Sequence, residues 1–514
     1  MPAKSDPLLH LQCFAAASLA VFVFFLWEGH TGFNLWDEGY LWYGVQRVMQ
    51  GAVPIRDFMA YDPGRYYWSA GLMGLWGDNG IVAMRATVAM FEALGIFAGV
   101  YCMARTWRRP NPLYLMLSVA VLLAWMYPRH KLVDISVSIF LVGALAWLVE
   151  NPTVRRYFLT GVSIGLAAVF GRNHGIYGAM GGIGVILYLS IRHKEGLPPA
   201  KGLLYWTAGI AAGFSPILLM ALLLPGFAGA FWDSIAFLFE IKATAIPLPV
   251  PWPWRADFSA PLHLIAWNVA IGALFIAIIA FGVAATLWVC WQRYQEYSVS
   301  PVLVASAFLT LPYLHRAFSR ASINTLAQSI YPVLIGCLVI LAARRPGMKW
   351  AATILLCAFS IWFVHPYYEG WQCRGGAPCA DIEVSGDKLR VVPYIADDVA
   401  LLRQLADEYA PDGRSVYVVP FWPGAYPLLE RISPTWEIYA LFPHSMAFER
   451  AEIERLKTAD PGYAFIYDLA LDGRDELRFR NTHPLIFQYI LDHFQPVASP
   501  NPDYLIFKAK TEGP

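Results

Sequence analysis

The sequence predicts a polytopic α-helical membrane protein that ends in a small α/β domain outside the membrane. Three observations carry that expectation. Of 514 residues, 57% are hydrophobic and only 15% are charged, whereas soluble chains carry about 25% charge; mean hydropathy is +0.46. Apolar runs near spanning length recur from Leu8 to residue 365. From Tyr367 onward charge density rises, and no apolar run is long enough to span. A net charge of +1 argues against nucleic acid as a partner and leaves membrane lipid as the surrounding medium.

Eleven spans are expected, at 8–27, 79–104, 111–127, 132–149, 157–170, 175–191, 202–224, 262–290, 300–314, 323–343 and 349–365. The first lacks a small-x-small exit and ends in Trp27-Glu28, so it reads as a retained span rather than a cleaved signal. Basic residues in alternate short loops set the orientation. Arg105, Arg108, Arg109, Arg155, Arg156, Arg192, Lys194, Arg344, Arg345 and Lys349 share one side, which the positive-inside rule makes cytoplasmic. The amino terminus then faces the cytoplasm of a bacterial inner (plasma) membrane. Loops 28–78 and 225–261 face outward with the carboxy-terminal block. The expected organisation is a membrane module, 1–365, and an extracytoplasmic α/β domain, 366–514.

In that last block "SVYVVPF" (415–421), "YAFIYDL" (463–469) and "YLIFKAK" (504–510) read as strands. "FERAEIERLKTAD" (448–460) and "HPLIFQYILDHF" (483–494) read as helices, and the alternation suggests a layered α/β domain. Cys373 and Cys379 lie outside every span. An oxidising compartment permits a disulfide between them, the alternative being two unpaired thiols.

The chain contains no Walker loop, no GxGxxG after a strand and no zinc signature. "GAMGGIG" (178–184) falls within a span and allows close helix packing. The chemistry therefore has to come from charge at the outer face, and that charge is oddly placed. Three short outer turns carry cations against the topological bias: Arg129, His130, Lys131 and Asp134; then Arg172, Asn173 and His174; then His315, Arg316, Arg320 and Asn324. Ionisable groups at such depth are costly and mark functional sites, although single residues can also snorkel into headgroups. Together they suggest an anion site such as a phosphate. Opposite in sign, Asp37 and Glu38 stand on the first outer loop. A carboxylate there can take a proton from a hydroxyl acceptor, and cations can neutralise a departing phosphate. The plainer role for the acidic pair is a helix N-cap, which Asn34 could equally fill.

"WDEGYLWYGVQRVMQGAVPIRDF" (36–58) and "YDPGRYYW" (61–68), an acidic pair after the first span and then a proline motif, resemble the GT-C glycosyltransferases. The likeness is to the branch holding protein O-mannosyltransferases and lipid A aminoarabinose transferases. It implies a GT-C fold and inverting transfer of a sugar from a polyprenyl-phosphate donor to an acceptor lipid, glycan or protein. Asp37 would be the general base and Glu38 would position the acceptor. Arg65 would contact the phosphate, after a proline motif entering span two. Relatives often carry His-Pro-Pro or Lys-Pro-Pro where this chain has Asp62-Pro63-Gly64-Arg65, which makes Asp62 a rival base. Arg129, Lys131, Arg172, His174, Arg316 and Arg320 come from the charge pattern alone.

Tyr40 and Tyr61 of these motifs are candidate substrate-lining residues. In loop 225–261, "FWDSIAFLFEIK" (231–242) suits an interfacial helix, and "IPLPVPWPW" (246–254) an extended, proline-rich lid. Its Trp252 and Trp254 could stack on a sugar or sit in the interfacial aromatic belt. The sequence fixes no cofactor; a divalent metal at Asp37 and Glu38 would suit hard-cation chemistry, but two ligands are too few to assign one. The rival reading of the whole chain is a transporter or flippase, but no repeated halves with midplane charge support it.

Overall fold

The structure is a computed structural model that describes residues 7–107, 111–192, 197–374 and 378–510. Arg108, Arg109 and Lys194, three of the cations used to orient the chain, lie outside the described residues. In chain order the helices are α1 (Pro7–Glu28), α2 (Asp37–Met49), α3 (Gly64–Trp76), α4 (Ile81–Ala104), α5 (Pro112–Ala124), α6 (Leu132–Glu150), α7 (Val154–Phe170), α8 (Arg172–Ser190), α9 (Pro199–Leu223), α10 (Phe227–Ile241), α11 (Leu262–Tyr294), α12 (Pro301–Ser319), α13 (Ile323–Ala327), α14 (Tyr331–Ala342) and α15 (Pro346–Val364). Then come α16 (Glu369–Arg374), β1 (Ala380–Val384), β2 (Asp387–Val391), α17 (Pro393–Tyr409), β3 (Val416–Val419), α18 (Ala425–Leu428), α19 (Met446–Ala459), β4 (Tyr463–Tyr467), α20 (Phe479–Thr482), α21 (Pro484–His493), β5 (Phe494–Val497) and β6 (Tyr504–Ala509).

Each expected span contains helix, but the expected count of eleven spans is not met by length and apolarity. Among the described residues, seven helical stretches are long and apolar enough to cross a membrane. α5 and α14 are apolar but short. The expected span 323–343 is broken into α13 and α14. Pro332, at the first turn of α14, has no N–H to continue a helix from before it, and Ser329 turns its hydroxyl back onto the Thr325 carbonyl at 2.6 Å.

The chain divides into two compact units, each built from three stretches of sequence. One unit is Met1–Leu26, Val88–Ala228 and Lys242–Tyr368; the other is Trp27–Thr87, Gly229–Ile241 and Glu369–Pro514. In the first, glycines let helices approach backbone to backbone. A Cβ on Gly161 of α7 would lie 2.1 Å from the Trp206 carbonyl oxygen of α9, and one on Gly182 of α8 would lie 2.7 Å from the Trp206 ring. The "GAMGGIG" stretch therefore serves packing.

The second unit has a four-stranded sheet in the order β3-β4-β6-β5. β3 pairs parallel with β4, while β6 runs antiparallel to both β4 and β5. Tyr417, Ile466, Leu456, Phe479, Ile490 and Phe507 form part of its apolar core. The expected strands and both expected helices are present within a residue or three. The β1–β2 hairpin, α17 and β5 are additional; the two hairpin strands are mixed in polarity, whereas α17 buries a regular helical stripe of Val399, Leu402, Leu405 and Ala406. Cys373 and Cys379 are joined by a disulfide. Three buried glutamates organise this block. Glu449 accepts the N–H groups of Leu485 and Ile486 at 2.9 and 3.2 Å, which caps the start of α21. Glu452 accepts the Trp436 N–H at 2.8 Å and pairs with Arg455. Glu437 lies between His444 and His483, at 3.0 and 2.9 Å.

The first loop belongs to this second unit because its aromatic residues pack there. Trp36 stacks on Phe421 with centroids 4.6 Å apart. The Met59 N–H donates to the Trp436 carbonyl at 2.8 Å, and the Trp436 indole donates to the Ile55 carbonyl at 3.0 Å. Gly39 of α2 meets Gly424: an added Cβ on Gly39 would sit 2.4 Å from the Gly424 Cα. Backbone cannot swing aside, so Gly39→Ala should destabilise the protein by about 1–3 kcal/mol, the usual cost of overpacking. Gly71→Ala, where an added Cβ meets open space, should be neutral or slightly stabilising. Thermal unfolding in detergent of the two variants beside the parent checks the contrast.

Candidate active site

The site begins at the first turn of α2. The Asn34 side-chain oxygen accepts the N–H groups of Trp36 and Asp37 at 2.9 and 3.1 Å. Asn34 thus does the capping, and the acidic pair is left for other roles. Both acids sit where the helix dipole favours negative charge. Being consecutive, they point about 100° apart around the helix, and the two carboxylates meet different surroundings.

Glu38 is 2% exposed and faces Arg85 of α4. The guanidinium donates to both carboxylate oxygens, each at 2.8 Å, in a fork-on-fork pair. The same guanidinium donates to the carbonyls of Gly29 and Gly32 at 2.8 Å. Both Glu38 oxygens are engaged by Arg85, which fixes the carboxylate against α4.

Asp37 is partly exposed. One turn on, Tyr40 shares its helix face and packs edge-on against Tyr61, with centroids 4.7 Å apart. The Arg65 guanidinium lies 4.8 Å from the Tyr61 ring centroid, and the Tyr61 N–H donates to the Tyr66 hydroxyl at 3.0 Å. Asp62 and Arg65 are both buried. Burial pushes the Tyr40 hydroxyl well above its usual range, so it stays protonated and able to donate. Pro63 caps α3, a separate helix of 13 residues. The expected entry of the proline motif into span two is therefore corrected: α3 intervenes before α4.

Beside α2 lies a cavity of about 260 Å³ lined by Trp36, Trp422, Tyr467, Tyr504, Asp398 and Gln372, among others. The Tyr504 hydroxyl donates to Asp398 at 2.7 Å. Burial raises the Asp398 carboxyl above its ordinary value, against the lowering effect of that hydrogen bond.

In the helical unit the three cationic turns converge. His174 sets one ring nitrogen 3.0 Å from Asp134 and the other 2.7 Å from the Tyr313 hydroxyl. Lys131 lies 4.0 Å from the other Asp134 oxygen, and His315 meets the Tyr177 hydroxyl at 2.7 Å. Arg316 donates twice to Gln328, at 3.2 and 2.6 Å. Arg129 sits in the 3₁₀ turn Arg129–Lys131, and Arg172 opens α8. Arg320 donates to the Ile246 carbonyl at 3.0 Å, which fastens the proline-rich segment to the end of α12. That segment is extended up to a short turn at Pro253–Arg255. Trp252 stacks on Trp254 at 5.3 Å and packs near Phe318 at 6.1 Å.

This architecture can be compared with known proteins. No family model matches the chain, and no curated protein matches it in sequence. Solved structures do match. ArnT from Cupriavidus metallidurans bound to undecaprenyl phosphate aligns with a TM-score of 0.56 over 98% of this chain and 98% of its own, at 13% identity. The apo state of the same protein aligns with a TM-score of 0.56 over 96% of each chain, at 12% identity. The chain has the GT-C fold. The archaeal oligosaccharyltransferase AglB from Archaeoglobus fulgidus also aligns, with a TM-score of 0.48 at 13% identity, over 98% of this chain and 75% of that one. At these identities the likeness is one of fold, and roles for individual residues have to come from the geometry of this chain.

Sequence reading missed two parts of the site. Arg85 lies in the first turns of an apolar run, where its only signal was a lone cation inside an expected span. The cavity residues Asp398, Trp422, Tyr467 and Tyr504 are scattered over 107 positions of the last block, and spacing cannot connect them. Removing Arg85 leaves a buried carboxylate without its cation. Arg85→Met should therefore destabilise by about 3–5 kcal/mol, and adding Glu38→Gln should recover part of that loss. A double-mutant cycle by thermal unfolding measures the coupling; purely additive losses would deny it.

Proposed function

We propose that the chain is a membrane glycosyltransferase that moves a sugar from a polyprenyl-phosphate donor to an acceptor hydroxyl on the extracytoplasmic face, with inversion. The observation that carries this reading is the neighbourhood of Trp36 and Asp37. Trp36 lines a cavity of aromatic and carboxyl groups, and the next residue presents a partly exposed carboxylate at a capped helix start. Aromatic surfaces interleaved with acidic and amide groups suit a polyhydroxylated acceptor, whose C–H faces pack on rings while its hydroxyls hydrogen-bond. We therefore favour a glycan or glycolipid headgroup as acceptor.

In the reaction, Asp37 takes the proton of the acceptor hydroxyl as that oxygen bonds to the sugar's anomeric carbon. The bond from that carbon to the phosphate oxygen breaks, and polyprenyl phosphate leaves. Attack from the side opposite the phosphate inverts the centre. Glu38 acts as a positioning residue: held by Arg85, it fixes the rotation of α2 and thereby the direction of Asp37. Arg65, in the same unit as Asp37, is assigned to the donor phosphate as a charge-assisted donor; Arg129, Lys131, Arg172, His174, Arg316 and Arg320 make up a candidate anion site within the helical unit. ArnT, of the same fold, has been seen with undecaprenyl phosphate bound, which supports this class of lipid.

Asp37→Asn should assemble, bind donor lipid and transfer at least about a hundredfold more slowly, read as release of polyprenyl phosphate at saturating donor. Asp62→Asn should stay within a few-fold of the parent; the reverse pattern moves the base to Asp62. Trp422→Ala should raise the acceptor KM more than it lowers kcat. Orientation has its own check. A cysteine replacing the exposed Asp412 should react with an impermeant thiol reagent from outside, and one replacing Pro346 should not. Labelling at Pro346 alone would invert the chain.

A further inference from the structure

The carboxy-terminal block holds a cluster that the transfer reaction does not use. Glu437, His444 and His483 come from separate stretches of chain, and one ligand atom from each lies within 4.8 Å of the others. Among the described residues this is the one place where three such side chains converge. His483 is fully buried and Glu437 is 4% exposed. His444 is half-buried and held flat between Phe237 and Phe448, with ring centroids 4.4 and 3.9 Å away. That sandwich fixes the ring plane and aims Nε2 at one Glu437 oxygen, at 3.0 Å.

His483 is held at both ring nitrogens: Nδ1 lies 2.9 Å from the Thr482 hydroxyl, and Nε2 lies 2.9 Å from the second Glu437 oxygen. The hydrogen bond from the far ring nitrogen is also how metal-binding histidines are held.

We propose that Glu437, His444 and His483 form a zinc site that staples the loop before α19 to the turn between α20 and α21. Two imidazole nitrogens and one carboxylate oxygen are a donor set zinc takes, with water in the fourth position. Zinc lies about 2.0–2.2 Å from such atoms, so any two ligand atoms stand at most about 4.4 Å apart. At the tetrahedral angle the separation is about 3.4 Å, so the widest gap here has to close by up to about 1.4 Å on loading. The half-buried side of His444 leaves an entry path. This site is independent of the sugar-transfer reading and would stand if that reading failed.

The test uses the full-length protein in detergent, stripped with chelator, reloaded with zinc and passed through gel filtration. The expected result is one zinc per chain by elemental analysis, a higher Tm with zinc than with chelator, and tetrahedral d–d absorption on loading with cobalt(II) instead. His444→Ala should lose that equivalent of zinc and the Tm response, and Glu437→Gln, which keeps the side chain's size, should bind zinc at least about tenfold more weakly. A parent with no zinc, no Tm response and no tetrahedral cobalt spectrum would overturn the proposal and leave a cluster held by protons alone. Full zinc retention in both folded variants would overturn it too, by placing the metal elsewhere. If a variant fails to fold, the three parent readouts decide.

Discussion

The second unit depends on one buried guanidinium. Arg85 carries five N–H donors in a rigid fork, and its close acceptors are the two oxygens of Glu38 and the carbonyls of Gly29 and Gly32. A charge 2% exposed is tolerated only when it is paired and hydrogen-bonded, so this arrangement admits little slack. It ties the chain leaving α1 to the first turns of α4 and sets how α2 is rotated. A second tie fixes the start of α4: the Val82 N–H donates to Asp387 of the β1–β2 hairpin at 2.9 Å.

From that constraint the division of labour between two adjacent acids follows. Consecutive helical residues cannot share a face. With Glu38 turned inward to Arg85, Asp37 is turned to the side shared with Tyr40, whose ring packs against Tyr61. Trp36 is turned to the aromatic cavity and stacked on Phe421. Three consecutive side chains thus serve as a cavity wall, the proposed proton acceptor and an anchor.

The carboxy-terminal block follows a different logic. Its apolar core is ordinary sheet and helix packing around Tyr417, Ile466 and Phe507, and its polar interior is organised by carboxylates. Glu449 and Glu452 satisfy backbone N–H groups that loops and helix starts leave open. Glu437 instead faces two imidazoles, and histidines are the side chains whose charge and ligation respond to conditions near neutrality. The same residue type therefore carries scaffolding at two positions and a distinct chemistry at the third.

The sequence by itself determined whatever depends on local composition and period. Long apolar runs mark the helices because a membrane-spanning segment must satisfy its own backbone and be apolar along its length. The strands at 416–419, 463–467 and 504–509 were legible from β-branched and aromatic runs, α19 and α21 from their 3.6-residue period, and the Asp37–Glu38 pair from its contrast with its surroundings. Tertiary structure decided the rest, for reasons that spacing does not encode. Glu38 and Asp37 look alike in the sequence and differ only because Arg85, 47 positions away, selects one of them. The first loop joins the last block, rather than standing apart from it, because Gly39 and Gly424 permit backbones to touch and Trp36 finds Phe421. Glu437, His444 and His483 show no motif spacing, since their convergence is set by how α19, α20 and α21 pack over the sheet. Periodicity reports what each element buries; which side chains meet is fixed only when the elements close on one another.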